Sequence, residues 1–133
     1  MDQKDSTPTG GPHCNLDFLE ISLGRNRATA LRLVGLFLDS YPSLVRRLEE
    51  AMSASDFERL GQVVHDIRGN CVLFSAQECL AQTIRMEGLL RRTAPRNDQS
   101  EGGTDWESEV AALRSALERM TGELNAYLAS GSK

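Results

Sequence analysis

The chain is short of most features that mark a membrane protein, a nucleic-acid binder or a metal protein. Aromatic residues make up only 5% of its 133 residues, and there are 3 cysteines. Those are Cys14, Cys71 and Cys79, with no C-x-x-C pair among them. An odd count without paired spacing argues against a disulfide framework and against a zinc site. Cys71 and Cys79 instead fall on expected core stripes, where a free thiol acts as a small hydrophobe. No apolar run approaches the roughly 20 residues needed to span a bilayer. Met1 to Pro12 is polar and lacks the apolar stretch of a secretory signal. The formal net charge is −4 and basic residues are scattered. Nucleic-acid binders carry a basic stripe, so this balance speaks against one. No segment alternates with period two, so no sheet is expected. A cytoplasmic protein without membrane or nucleic-acid partners is the expectation.

What the chain does have is helical periodicity. Hydrophobic residues are 40% and charged residues 26%, which suits one globular domain. Residues 1–13 carry Ser6, Thr7, Pro8, Gly10, Gly11 and Pro12 and read as a flexible tail. Residues 14–130 read as a bundle. Asn15 can cap a short helix with Leu16, Leu19 and Leu23 on one side. Gly24-Arg25-Asn26 breaks it. A long helix follows from Arg27 to Ala54, with Leu31, Val34, Leu38, Tyr41, Val45, Leu48 and Met52 as its stripe, widened by Phe37 and Leu44. Pro42 should kink it. Ser55 and Glu58 form an S-x-x-E capping box that opens the next helix. A further helix spans Ala76 to Arg92, with Cys79, Leu80, Thr83, Met86 and Leu90 inward and Glu87 within that apolar stripe. An acid so placed sits either at a wet end or beside a base. Thr93 to Gly103 is a polar loop. Thr104 and Glu107 form a second capping box, and the last helix carries Val110, Leu113, Leu117, Met120, Leu124 and Tyr127. The architecture expected is all-α: an antiparallel up-down four-helix bundle with a short extra N-terminal helix.

One histidine organises this layout. Phe57, Leu60, Val64, Ile67, Cys71 and Phe74 form the stripe of the helix that contains it. His65 points about 130° away from the centre of that stripe, on the wet face. Gly69 lies one turn after it and Gly61 one turn before. Glycine inside a helix costs about 1 kcal/mol relative to alanine. Two such residues outside the core stripe suggest that something bulky approaches the backbone there. Arg68 is the neighbour of His65 at i+3, a cation suited to a group that becomes negatively charged. Gln62 can hydrogen-bond the imidazole or a partner, and Val72 offers an apolar contact on the same face. No second base, Ser or Cys nucleophile or oxyanion cradle accompanies His65 on this helix. Glu58 and Glu87 lack HExxH-like spacing to it. An exposed imidazole is nonetheless a nucleophile at neutral pH. It can accept a phosphoryl group when a partner supplies metal and positioning.

The stretch His65-Asp66-Ile67-Arg68-Gly69-Asn70-Cys71-Val72-Leu73-Phe74-Ser75-Ala76 resembles the histidine-containing phosphotransfer (HPt) domain. The matching positions are the histidine, apolar Ile67, Gly69, small Cys71, apolar Phe74 and Ala76. The helical layout extends the likeness from about Leu16 to Leu128 and includes Glu87. Three positions depart from the family pattern: Arg68 replaces a lysine, Ser75 a glycine, and Asn70 a smaller residue. Arginine keeps the charge but presents a planar fork rather than a point charge.

The resemblance implies a phosphorelay carrier. His65 would take a phosphoryl group from a receiver-domain phospho-aspartate and pass it to another receiver, with Arg68 as charge partner. Gln62, Gly61, Gly69 and Val72 would shape the partner contact. The protein would be a stoichiometric carrier rather than an enzyme, without an ATP site or cofactor of its own, the Mg²⁺ residing on the receiver. A hybrid sensor kinase would supply that receiver, and a monomer is expected. The alternative is a non-phosphorylated helical adaptor that binds a receiver or kinase, motivated by Arg68, Asn70 and Ser75. A metal-binding bundle using His13, Cys14 and His65 is a weaker idea, and no metal is expected.

Overall fold

A computed structural model describes residues 14–93 and 105–131. Five helices account for nearly all of them, and no strand occurs among the described residues. They are α1 (Leu16–Ser22), α2 (Arg27–Ser53), α3 (Phe57–Leu73), α4 (Gln77–Thr93) and α5 (Trp106–Gly131). None is long and apolar enough to cross a membrane. The expected tail, His13, the expected Thr93–Gly103 loop beyond Thr93, and Thr104 lie outside the described residues.

Side-chain oxygens cap the helix starts. Asn15 accepts from the Phe18 N–H and Asn26 from the Thr29 N–H, both at 3.0 Å. The two expected capping boxes are displaced by one residue. Asp56, not Ser55, accepts from the Arg59 N–H at 3.1 Å. Asp105 accepts from the Ser108 N–H at 3.2 Å. In both places a carboxylate stands next to the hydroxyl residue, and its charge also suits the positive helix N-terminus. Capping by Asp56 frees Ser55 to take the left-handed conformation, at φ 52°, that ends α2. Ser75 does the same after α3, at φ 53°. There the Ala76 N–H reaches the Cys71 carbonyl at 2.8 Å and the Ser75 N–H reaches Val72 at 3.2 Å. This is a Schellman closure built without glycine, at a conformational cost of about 1–2 kcal/mol.

The four long helices pack in a closed ring, each touching its two neighbours: α2 on α3, α3 on α4, α4 on α5 and α5 on α2. Short α1 lies on α2. The core of α2 is Ala30, Val34, Phe37, Leu44, Leu48 and Ala51. Leu38, Tyr41, Val45 and Met52 are only half-buried, so the stripe centres on the side expected merely to widen it. Pro42 is exposed and α2 runs through it as one helix, held by buried Phe37 and Leu44 on either side. Phe37 meets Phe74 edge-on at 5.7 Å, fixing the end of α3 to α2. Phe57 and Trp106, the first residues of α3 and α5, meet at a tilt with ring centres 5.6 Å apart. Each fully buried Leu, Ile or Phe contributes about 1.5–3 kcal/mol, and all share one core.

The three thiols are free and buried in that core. Burial pushes Cys14 up to about 12, and contact with Cys79 together with burial raises Cys71. They behave as the expected small hydrophobes. A clamp ties α1, α2 and α5 together. Glu20 accepts from the Tyr127 hydroxyl at 2.5 Å and from Arg27 at 2.7 Å, while the Arg27 guanidinium lies 4.9 Å from the Tyr127 ring centre.

Candidate functional site

Because Leu60, Val63, Val64, Ile67 and Cys71 fill the inner side of α3, His65 is left outside, with its side chain 67% exposed. The imidazole is not alone. Glu87 of α4 places Oε2 3.3 Å from His65 Nδ1 and Oε1 3.0 Å from Arg68 Nε. One carboxylate, only 18% exposed, thus bridges the imidazole and the guanidinium of α3. A carboxylate only accepts, so a neutral imidazole meets it with Nδ1–H. The ring's lone pair is then on Nε2. The acid inside the α4 stripe is therefore the one paired with bases, not one at a wet end.

Arg68 forms an ion pair with Glu87, Nε lying 3.0 Å from Oε1, and its side chain is 39% exposed. The expected pairing of Arg68 with an incoming charge thus starts from a guanidinium already half-committed. On the other flank of α3, Asp66 pairs with Arg47 of α2 at 2.8 Å.

The remaining expected residues divide. At Gly69 an added Cβ would meet nothing within 4 Å, so its surface is open as anticipated. Gly61 is half-buried, and a Cβ there would touch Leu90 of α4 at 3.8 Å. It faces the α3–α4 packing rather than a free surface, which corrects the expectation for it: at an angle about 100° from the stripe's centre, the neighbouring helix still covers it. Val72 is 59% exposed on the His65 side. Gln62 makes no hydrogen bond to His65; with Arg47, Glu50 and Arg59 it lines a polar cleft of about 310 Å³ between α2 and α3. Glu87 takes the place expected for Gln62 beside the imidazole.

Five apolar residues escaped the sequence reading as surface: Phe18, Ile21, Leu36, Leu73 and Ile84 are all exposed. Ile84 precedes Glu87 by one turn on α4. The signal was present in their side-on helix angles, though one exposed Leu or Ile is ordinary. Among the described residues no group of three His, Cys, Asp or Glu side chains could hold a metal ion.

A family model described as the Hpt domain matches residues 32–122, most of the chain and the whole of α3 and α4. No curated protein and no solved structure matches it.

Proposed function

Since the chain belongs to the Hpt domain family, whose members perform histidine phosphotransfer in two-component signalling, we propose that His65 is its phosphoacceptor. The observation that carries this reading is the contact of Glu87 with Nδ1. It leaves Nε2, on an exposed ring, as the nucleophile. The Nε2 lone pair attacks the phosphorus of a receiver's phospho-aspartate. The bond from phosphorus to the aspartyl oxygen breaks, and the carboxylate leaves with its electron pair. Nδ1 keeps its proton, so the phosphorylated ring is an imidazolium, which Glu87 neutralises. Return transfer to an aspartate of a second receiver reverses these steps.

The receiver brings Mg²⁺ and the acidic pocket, and this chain needs no cofactor or ATP site. It acts as a stoichiometric carrier. Charge pairs between neighbouring helices support an antiparallel up-down arrangement of α2 to α5. Arg119 of α5 meets Glu78 early in α4, and Arg85 later in α4 meets Glu109 early in α5. Such a bundle holds His65 on a rigid helix. Gly69 gives the partner backbone-close access, and Val72 an apolar contact. The setting is a cytoplasmic monomer serving a hybrid kinase.

The test is phosphoryl uptake from a receiver carrying labelled phospho-aspartate. The protein should acquire base-stable, acid-labile label, and His65→Gln should acquire none. Label persisting in His65→Gln would overturn the assignment. Binding of the receiver without any label would favour the adaptor reading, for which Ser75 and Arg68 are the motivating departures.

A further inference from the structure

The cleft between α2 and α3 runs along one flank of the His65 face. Gln62 stands one turn before His65 and about 60° round the helix from it, and Asp66 follows His65 directly. The lining is Arg47 and Glu50 of α2 with Arg59 and Gln62 of α3. Both guanidiniums are already engaged. Arg47 Nη2 donates to Asp66 Oδ2 at 2.8 Å, and Arg59 Nε lies 3.3 Å from Asp56 Oδ2. Glu50 differs: its exposed side chain has no ion pair or hydrogen bond among the described residues. Two guanidiniums therefore stand among three carboxylates, and the charge left over is negative. The volume of about 310 Å³ is at the small end of ligand clefts, which suits a single long side chain.

Resting on the carrier reading above, we propose that this cleft seats a lysine or arginine side chain of the receiver docked over His65. Glu50 supplies the opposing charge, and the Gln62 amide oxygen accepts a hydrogen bond from the incoming cation. An acidic side chain would instead face Glu50 and find both guanidiniums neutralised by their aspartates, so like charges would oppose it. Arginines tied off around a free acid thus select a receiver by sign without touching phosphorus. Glu50 is in this sense a specificity residue: exposed charges at the edge of a contact act on encounter and affinity more than on the step that follows.

Calorimetric binding of the receiver, and transfer from its phosphorylated form, separate these effects. Glu50→Lys should weaken binding about tenfold at low salt, with the transfer rate at saturating receiver and the melting curve unchanged. Glu50→Gln should weaken it about threefold. Both losses should shrink in about 1 M salt, where the screening length is about 3 Å. Glu118→Lys is the control, an equal charge reversal at an exposed acid of α5 that does not line the cleft, and it should bind as wild type does. Unchanged or tighter binding by Glu50→Lys, an equal loss in Glu118→Lys, or a slower saturated transfer rate overturns the proposal. Wild-type protein that takes no label, while Glu50→Lys still weakens receiver binding, overturns the carrier reading and keeps the cleft.

Discussion

Helix α4 carries a carboxylate–arginine pair on each flank, and the two are built from the same parts to opposite ends. Toward α5, Glu109 receives Arg85 by both Nε and Nη2 at 2.9 Å, and Gln82 adds a third bond at 2.9 Å. Toward α3, Glu87 only forms an ion pair with Arg68, Nε lying 3.0 Å from Oε1, and sets its other oxygen 3.3 Å from His65 Nδ1. The two carboxylates are similarly shielded, at 14% and 18% exposure. The difference lies in unused valence. At Glu109 the fork and the acid saturate each other, which fastens two helices. At Glu87 both partners keep donors or a ring nitrogen free, which is what a site that receives a group requires.

Exchanging the charge of each acid separates the two roles most sharply. Glu87→Gln should lower phosphoryl transfer about tenfold with a nearly unchanged melting curve. Glu109→Gln should leave transfer intact and lower the melting temperature. Transfer loss in both, or in neither, would dissolve the distinction. Bulk gives a second, smaller contrast. Gly69→Trp should slow transfer several-fold by blocking approach, while the helix gains up to about 1 kcal/mol from losing a glycine. Unchanged transfer rates would remove the close-approach argument for Gly69.

Acid gives the smallest contrast. Hydrogen bonding from Arg85 holds the Glu109 carboxyl below its ordinary value of 4.5. A carboxyl lowered in the folded state contributes stability that is present above its unfolded value and lost as pH falls through the folded one. Urea midpoints should thus decline below about pH 4.5, and Glu109→Gln should make that decline shallower. An identical acid limb in the variant would mean that the bidentate contact contributes nothing in solution.

Most of the helical layout was readable from apolar spacing, because each long helix buries one side and the period of 3.6 shows it directly. The bridge at Glu87 was half-readable. An acid within an apolar stripe announced itself as anomalous, yet its partners His65 and Arg68 lie on another helix, and spacing within one helix carries no information about that. Caps failed for a local reason. Ser55-Asp56 offers two adjacent capping residues, and the hydroxyl-plus-glutamate pattern drew attention to the wrong one. Gly61 failed because helical angle alone cannot tell a solvent face from one covered by the next helix over. Gly69, a further eight positions along, escaped that cover.

The ring contact Phe57–Trp106 has a practical consequence. Trp106 is the only tryptophan in the chain. Its indole can be excited apart from Tyr41 and Tyr127 and is seated against the first residue of the helix that bears His65. His65 lies eight residues, about 12 Å of helical rise, beyond Phe57 on α3. Emission colour thus gauges the integrity of the scaffold from a point outside the chemistry. A variant that stops transferring while its emission stays blue has lost reactivity, and one whose emission turns red has lost the bundle.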